Sequence, residues 1–334
     1  MQPLQLGVLG VSNFYRKRIA IPVATSPLVD IMAIASRSED KAQEAAQEYS
    51  INRAYGSYEA LLADEQVEAV YIPLPNHRHA EWIKRAADAG KHVLCEKPLA
   101  LTASEAQECL DYASERGITV MEAFMYRLHP QWQHVRQLIR QREIGSVQLI
   151  DVFFGYNNAD PHNIRNQKDT GGGALLDVGC YAVSSSRFLL GKEPQRVISL
   201  AEVDPQFGTD ILFSGMLDFG QARASFTVGT QTFPYQRVVI HGSSGIITIM
   251  IPFNAHADTE AHAIVTTSVG TRDLYLPPED QYIIEFEAFA NAVKNQEEAP
   301  ITPTDTILNM RVLDALKKSH GSGQWEPVEG GNSQ

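Results

Sequence analysis

The first 124 residues alternate apolar runs with polar stretches of helical length, and this alternation restricts the chain to few folds. The apolar runs occupy residues 4–10, 29–36, 67–75, 92–95 and 119–124. Near-continuous apolar strands with helices between them are typical of a parallel sheet that is covered on both faces. With right-handed crossovers, the pattern predicts a doubly wound α/β domain of Rossmann type over residues 1–124.

From about residue 145 the pattern changes to strand-like runs joined by turns, namely SVQLIDVFFGYN, RVISLAEV, DILFSGMLDF, ARASFTVG, RVVIHG and GIITIMI. A helical segment around 173–190 interrupts them, and two more follow at 281–296 and 304–319. This predicts an α+β domain over residues 125–328 on a large, mostly antiparallel open sheet. Its last helix is free to pack back on the first domain, and a disordered tail is predicted at 329–334.

Composition excludes several classes of function. The net charge of -12 argues against a dedicated nucleic-acid binder and against docking on an anionic membrane. No apolar run approaches the roughly 20 residues that span a bilayer. The three cysteines show no CxxC spacing, and the first ten residues, MQPLQLGVLG, lack the features of a signal peptide. We therefore expect a cytoplasmic protein with a small-molecule substrate and without a nucleic-acid or membrane partner.

In a doubly wound sheet, ligands bind beyond the carboxyl ends of the strands. Five residues fall at or near such ends, namely Gly10, Ser36, Pro73, Lys97 and Glu122. This placement is the first indication that Lys97 faces a ligand site.

The first strand leads into GVLGVSNF, a degraded dinucleotide-binding fingerprint. Gly10 stands at the turn, whereas Ser12 and Tyr15 stand where the later glycines of GxGxxG would be. A plain strand-to-helix turn remains an alternative, but the opening position in a βαβ unit favours a cofactor. The predicted cofactor contacts here are Gly10, Ser12, Asn13 and Phe14.

The second strand ends in Ser36, Arg37 and Ser38, with Lys41 close behind. An NAD site usually has a carboxylate here for the ribose 2′-hydroxyl, whereas hydroxyls and a guanidinium suit a 2′-phosphate. These four residues predict a preference for NADP over NAD. The alternative is a solvated helix start with ordinary charges.

The strand HVLCEKP places Glu96 and Lys97 at its carboxyl end, directly before Pro98. The proline stops the strand and fixes where the lysine projects, because the residue before proline is held extended. Lys97 could bond a ribose or substrate hydroxyl and favour loss of a nearby proton. Glu96 could be its partner or a cofactor ligand, and a plain ion pair is the alternative.

The segment GGGALLDVGCY begins with three glycines, which let the backbone approach a ligand closely before a helix starts. Asp177 and Tyr181 lie four residues apart on one face of that helix. A carboxylate and a phenol there can form a proton-transfer pair, although a phenol needs a nearby cation to react at neutral pH. Lys97 could be that cation, and incidental side chains on a glycine-capped helix are the alternative.

Asn163 and Arg165, on the preceding loop, could reach substrate hydroxyls or belong to a surface loop. The HRH sequence at 77–79 lacks further metal ligands, so no metal site is predicted.

Three segments together resemble the Gfo/Idh/MocA oxidoreductase family, namely YIPLPNHRHAEWIKRAADAGKHVLCEKPLA, MEAFMYRLHPQ and GGGALLDVGCY. The resemblance is strongest to members similar to glucose–fructose oxidoreductase, dihydrodiol dehydrogenase and xylose dehydrogenase. It implies an N-terminal NAD(P)-binding Rossmann domain. It also implies a C-terminal domain whose open sheet covers the substrate and contacts a second copy, giving a homodimer or homotetramer.

The resemblance also implies roles for individual residues. Lys97 matches the EKP lysine that contacts substrate or nicotinamide ribose, and Tyr181 matches the general acid/base, with Asp177 orienting substrate or cofactor. Further cofactor contacts are implied at Leu74, Pro75, Asn76, His79 and Arg127.

The predicted function is an NADP-dependent oxidoreductase that interconverts a hydroxyl and a carbonyl on a sugar, polyol or diol, with NAD as a possible second cofactor. VYIPLP and HAEWI also resemble nucleotide-linked ketosugar reductases, which gives a second candidate. A non-catalytic NAD(P)-binding sensor is a third, although a sensor would need neither Lys97 nor Tyr181.

Overall fold

A computed structural model describes residues 2–330 as two compact units. The first comprises residues up to 125 together with 282–307, and the second comprises 126–281 together with the residues from 308 onward. The first break in the chain falls close to the predicted boundary at 124. Residues 331–334 of the predicted tail lie outside the described part of the chain.

The first unit contains a sheet of six parallel strands in the order β3-β2-β1-β4-β5-β6. The strands are β1 (Leu4–Leu9), β2 (Val29–Ala35), β3 (Arg53–Tyr55), β4 (Ala69–Ile72), β5 (His92–Glu96) and β6 (Val120–Ala123). This is the doubly wound order, which confirms the predicted fold of this region. Strands such as β4 are apolar throughout because every one of their residues is buried.

Helices connect these strands. They are α1 (Ala20–Val23), α2 (Glu39–Glu48), α3 (Tyr58–Leu62), α4 (His79–Asp88) and α5 (Ala103–Ser114), with a π-helical turn at Tyr15–Ile19 and 3₁₀ turns at Asn76–Arg78 and Met125–Leu128. The start of α5 shows how local sequence sets a boundary: the Thr102 hydroxyl accepts a hydrogen bond from the Glu105 amide, and the Glu105 carboxylate accepts one from the Leu101 amide.

The chain returns to the first unit through α8 (Gln281–Asn295) and the start of α9 (Pro303–Ser322). The ring of Phe286 packs edge-on against Tyr71 of β4 at 5.0 Å, and Lys294 pairs with Glu68 at 2.7 Å. Residues 282–307 thus belong to the first unit, whereas the sequence placed them within 125–328. The chain returns to the first unit because the apolar side of α8 packs against the parallel sheet.

The second unit is built on a sheet of nine strands in the order β14-β13-β12-β11-β7-β10-β9-β8-β15. These are β7 (Val147–Asn157), β8 (Arg196–Val203), β9 (Asp210–Asp218), β10 (Arg223–Gly229), β11 (Gln231–Gly242), β12 (Gly245–Ile249), β13 (Ala261–Thr267), β14 (Gly270–Leu276) and β15 (Glu326–Pro327). Among the described pairs of neighbouring strands, β7 and β10 are parallel and the others antiparallel, which confirms the mostly antiparallel sheet.

Two further helices of this unit are α6 (Pro130–Arg140) and α7 (Cys180–Leu190). A π-helical turn at Leu175–Gly179 leads into α7, and 3₁₀ turns lie at Ile164–Asn166 and Lys168–Thr170. Trp132 anchors the aromatic core beside α7: its indole N–H donates to the Pro252 carbonyl at 2.6 Å and its ring stacks on Phe253 at 5.7 Å.

No helix within residues 2–330 combines the length and apolarity that crossing a bilayer requires. The three cysteines, at positions 95, 109 and 180, are buried, and none of them forms a disulfide.

Candidate active site

The carboxyl edge of the parallel sheet gathers most of the predicted cofactor residues. Gly10 follows β1, Ser36 follows β2, Leu74 follows β4, and Glu96 ends β5. Because β2, β1, β4 and β5 are parallel neighbours, these residues line one edge. The strand order reverses between β1 and β4, and this is where doubly wound folds bind their ligands.

The turn after β1 requires a glycine at its first position. Gly10 has φ +116°, and a Cβ there would lie 2.9 Å from Leu74 Cδ2, so glycine fits where a side chain would not. The Ser12 hydroxyl accepts a hydrogen bond from the Tyr15 amide at 3.0 Å. Tyr15 is fully buried, and this burial raises the pKa of its phenol. The position of the last glycine of GxGxxG is thus occupied by a core aromatic residue, Tyr15.

The other two predicted residues of this turn differ in their surroundings. Asn13 is exposed, whereas the ring of Phe14 packs edge-on against Tyr282 of α8 at 5.7 Å. Phe14 therefore helps to attach α8 to the first unit.

The end of β2 carries hydroxyls that also build the turn. The Ser36 hydroxyl accepts from the Ser38 amide at 3.3 Å, and the Ser38 hydroxyl caps α2 by accepting from the Lys41 amide at 3.5 Å. Both hydroxyls act only as acceptors in these bonds, so each can still donate its own proton to a ligand. Arg37 and Lys41 are exposed, so their charges can meet a ligand phosphate.

Tyr58, a residue that the sequence did not single out, lies beside Arg37. Burial raises the pKa of its phenol, and the charges of Arg37 and Arg78 oppose that rise. A Cβ on Gly10 would lie 3.7 Å from the Tyr58 hydroxyl, so this phenol adjoins the β1 turn. Two guanidinium groups beside a glycine turn fit the phosphates of a dinucleotide such as NADP.

His79 joins two of the loops that leave the sheet. Its ring is fully buried, with Nδ1 2.8 Å from the Pro98 carbonyl oxygen and Nε2 2.8 Å from the Leu74 carbonyl oxygen. Burial lowers its pKa. Both ring nitrogens thus contact the protein, and His79 ties the loop after β4, where Pro75 and Asn76 begin a 3₁₀ turn, to the segment after Lys97.

Lys97 is half-buried at the carboxyl end of β5, and the peptide bond to Pro98 is cis. The preceding Glu96 is held by the Tyr71 hydroxyl, which donates to its Oε1 at 2.6 Å. On the far side, the Leu99 amide donates to Glu122 at 2.8 Å. The position of the lysine backbone is therefore fixed on both sides.

In the second unit, Asp177 accepts two hydrogen bonds on one carboxylate oxygen. Tyr156 of β7 donates from its hydroxyl at 2.6 Å, and Arg165 donates from Nε at 2.9 Å. The charge of Asp177 is the main cause that raises the pKa of the Arg165 guanidinium. The pKa of Tyr156 is raised by burial first and by Asp177 second. The structure thus brings Asp177 and Arg165 together and adds Tyr156.

Tyr181 lies one helical turn after Asp177, at the start of α7, and is 6% exposed. Its ring packs among those of Tyr126, Phe154 and Phe253, with centroids 5.2–5.8 Å apart. Tyr181 also contributes to the raised pKa of Arg165, so the two groups interact electrostatically. The second unit thus has a cation of its own, Arg165, which is bound to Asp177 one helical turn before Tyr181.

The glycines before this helix make room for the protein's own atoms. A Cβ on Gly172 would lie 2.5 Å from the Arg165 carbonyl oxygen, and one on Gly173 would lie 2.0 Å from a carboxylate oxygen of Asp210. The other oxygen of Asp210 accepts from the Leu175 amide at 2.7 Å, at the start of the helical segment. The sequence suggested that these glycines let the backbone approach a ligand, whereas here they admit the Arg165 loop and Asp210.

Two predicted residues have supporting contacts nearby. The Asn163 side chain accepts from the Arg165 amide at 3.1 Å and so caps the turn that carries the arginine. The Arg127 guanidinium lies 4.9 Å above the ring of Phe188 on α7.

Sequence reasoning missed Tyr156, Asp210 and Tyr58. Tyr156 stands two residues after the buried Phe154 on β7, so strand periodicity could have placed it on the covered face of the sheet. Asp210 has no comparable local signal, because its partner is a helix start from a different part of the chain. Within residues 2–330, no three side chains of the metal-binding types come together as a metal site.

Comparison with known proteins identifies both halves of the chain. Residues 4–124 match the "Oxidoreductase family, NAD-binding Rossmann fold", and residues 132–248 match the "GFO/IDH/MocA C-terminal domain". The D-xylose 1-dehydrogenase (NADP(+)) 2 of Haloferax volcanii is 38% identical over 324 residues, which cover 96% of this chain and 98% of that protein. The trans-1,2-dihydrobenzene-1,2-diol dehydrogenase of Xenopus tropicalis is 34% identical over 234 residues, covering 69% and 70%.

Solved structures agree with this assignment. A 3-ketoreductase from Actinomadura kijaniata, crystallised with NADP and TDP-benzene, superposes with a TM-score of 0.90 at 30% identity, covering 95% of this chain and 98% of that one. The resemblance inferred from the sequence motifs is confirmed, as are the fold class and the assignment to NAD(P)-dependent enzymes. The chain belongs to the Gfo/Idh/MocA family of oxidoreductases.

Proposed function

We propose that this protein interconverts a hydroxyl and a carbonyl group on a sugar, polyol or related diol, with NADP as its preferred cofactor. The relatives support the substrate class, since they include a xylose dehydrogenase, a dihydrodiol dehydrogenase and a ketosugar reductase. NADP, when bound, accepts or supplies the hydride.

The observation that carries the proposal is the setting of Tyr181. Its phenol is nearly buried among aromatic rings and interacts with Arg165, which Asp177 holds in place. Tyr181 is the group that gives a proton to the substrate oxygen or takes one from it, while Arg165 stabilises the tyrosinate. Asp177 and Asn163 are proposed to bind or orient the substrate, with Arg165 contributing to both roles.

Lys97 is proposed to stabilise the negative charge that develops on the substrate oxygen. Tyr71, acting on Glu96, and Glu122, acting on Leu99, fix the backbone on either side of it. Solved structures of the Actinomadura reductase include variants with tyrosine replaced by phenylalanine and lysine replaced by alanine, which are the same two residue types.

The test follows nicotinamide absorbance with NADP⁺ or NAD⁺ against a panel of aldoses, polyols and diols. We expect turnover with NADP⁺ and a loss of at least a hundredfold in kcat for Tyr181→Phe. Tyr275→Phe is the control, because Tyr275 lies exposed on β14 and stacks on His262. An unchanged kcat in Tyr181→Phe would show that Tyr181 is not the group that exchanges a proton with the substrate.

The preference for NADP is proposed to rest on Ser36, Arg37, Ser38 and Lys41. Arg37→Ala should weaken NADPH binding by about tenfold or more and leave NADH binding unchanged, because only NADPH carries the 2′-phosphate. Equal effects on both cofactors would contradict this assignment. The turn after β1, the loop with Leu74, Pro75, Asn76 and His79, and Arg127 remain the proposed lining of the cofactor site.

A nucleotide-linked ketosugar is the second candidate substrate. The superposition on the 3-ketoreductase over 95% of this chain favours it. Reduction of a dTDP-linked 3-ketosugar with NADPH, without turnover of free aldoses, would select this candidate. Tight NADPH binding without turnover of either class would instead support a sensor.

We also propose a homodimer or homotetramer formed through the outer face of the nine-stranded sheet. Leu200 and Met216 are exposed on this face, next to a groove of about 230 Å³ that is lined partly by Phe153 and Tyr235. Sedimentation should show a dimer or larger particle that Met216→Glu dissociates, and a monomeric native protein would contradict it. Three buried cysteines without a disulfide support the proposed cytoplasmic location.

A further inference from the structure

Glu285 is a buried carboxyl group that the proposed reaction does not use. It lies on α8, in the first unit, and is 1% exposed. Its Oε1 is enclosed and has no hydrogen-bond partner among residues 2–330. A carboxyl group in such a place would be costly to ionise, so its presence needs a physical explanation.

The groups that face Glu285 come from two strands and its own helix. Glu96 ends β5, and its Oε1 accepts the hydrogen bond from Tyr71 of β4. The pKa of Glu285 is raised well above its ordinary value, by burial first and by the charge of Glu96 second. The pKa of Tyr71 is raised by burial, and then by Glu96, Glu285 and Tyr282. The two carboxyl groups and the two phenols thus share one enclosed region.

Two carboxylates in one dry region repel each other strongly, so one of them keeps a proton. Glu96 has a hydroxyl donor, which stabilises its ionised form, whereas Oε1 of Glu285 has none. The proton therefore belongs on Glu285.

We propose that Glu285 is a positioning residue, which stays a neutral carboxylic acid beside Glu96 and thereby keeps the strand end that carries Lys97 in place. The catalytic part of this inference rests on the proposed function of Lys97. Ionisation of Glu285 at alkaline pH would set a second negative charge against Glu96 and displace that strand end. Activity should then fall reversibly as pH rises, for a reason that lies outside the reacting groups.

The first experiment tests the protonation alone and needs no turnover. Infrared difference spectra between the native protein and Glu285→Gln should show, at pH 7, the carbonyl band of one protonated carboxylic acid. Glu287→Gln is the matched control, because Glu287 lies on the same helix and accepts a hydrogen bond from Ser26 at 2.8 Å. A carboxylate difference band at pH 7 for Glu285→Gln would overturn the inference.

Stability against pH gives the same test with a defined sign. A group whose folded pKa is raised loses its stabilising contribution as pH rises through that pKa. Glu285→Gln has no such group, so its Tm relative to the native protein should rise steadily with pH above about 4.3, the ordinary glutamate value. Parallel Tm curves for the two proteins would contradict a neutral Glu285.

The positioning role is tested by the chemical reactivity of Lys97 and by the pH profile of kcat. Acetic anhydride labelling of Lys97, followed by mass spectrometry and normalised to the exposed Lys192, should change between pH 7 and 10 more in the native protein than in Glu285→Gln. With a working substrate, kcat of the native protein should fall up to tenfold per pH unit on the alkaline side, whereas Glu285→Gln keeps its plateau. Superimposable labelling profiles would overturn the positioning role, whether or not a substrate has been found.

Discussion

The glycine at position 173 offers the sharpest test of how the helix that carries Tyr181 is held. Gly173 has φ +114°, in the region that side chains rarely adopt. A Cβ at this position would lie 2.0 Å from one oxygen of Asp210, whose other oxygen holds the Leu175 amide at 2.7 Å. Gly173→Ala therefore strains the backbone and also displaces the carboxylate that caps the helix.

The two effects have estimable sizes. A residue other than glycine in this backbone region costs about 1–3 kcal/mol. Displacing the Asp210 carboxylate removes a hydrogen bond to a charged group, which contributes about 1.5–3 kcal/mol. We expect Gly173→Ala to lower the free energy of unfolding by about 2.5–6 kcal/mol. It should also lower kcat, because Asp177 and Tyr181 follow the displaced helix start.

Gly191→Ala is the matched control for backbone strain. Gly191 ends α7 with φ +61°, and no atom lies within 4 Å of the position of its Cβ. It should therefore cost only about 1–2 kcal/mol and leave kcat unchanged. Urea unfolding and steady-state kinetics measure both effects. If Gly173→Ala were no more harmful than Gly191→Ala, the contact with Asp210 would not hold the helix.

Three more predictions follow from the contacts of the site. His79→Leu removes the ring nitrogens that contact the carbonyl oxygens of Pro98 and Leu74, to one of which the neutral ring donates, and should destabilise the protein by about 1–3 kcal/mol in urea unfolding; a smaller loss would show that solvent replaces the ring. Burial raises the pKa of Asp210 to about 6. As pH rises from 4 to 6, the free energy of unfolding of the native protein should therefore fall by up to about 3 kcal/mol relative to that of Asp210→Asn. A pH-independent difference in unfolding free energy would refute that. Tyr156→Phe removes the hydroxyl that donates to Asp177 and should lower kcat/KM about tenfold; an unchanged value would show that Tyr156 does not contribute to the reaction.

The sequence predicts the parallel sheet well because burial on both faces leaves a strong local signal. Strands such as β4 and β5 have to be apolar wherever helices cover them. β3 was not predicted, because its three residues are only partly buried and carry no such run. The hairpin of β13 and β14 was missed for a related reason, since most residues of β14 are exposed and polar.

The site is predictable only where function and local structure share a short segment. Glu96, Lys97 and Pro98 are neighbours in sequence, and Asp177 with Tyr181 is one helical turn, so their patterns can be recognised. The partners that hold them lie far away in sequence, as Asp210 does for the helix start and Glu285 for Glu96. Their roles depend on which strand or helix packs against them, and periodicity carries no information about that choice.

The glycines before the helix show why a motif can be recognised correctly while its physical basis is misjudged. Gly172 and Gly173 resemble a ligand-approach loop, and the segment does mark the site. Their freedom is used to admit the Arg165 carbonyl, which accepts a hydrogen bond from the Gly173 amide, and the Asp210 carboxylate, which accepts one from the Leu175 amide. Alanine at either position should therefore act first on stability and the placement of Tyr181, and only through them on substrate binding.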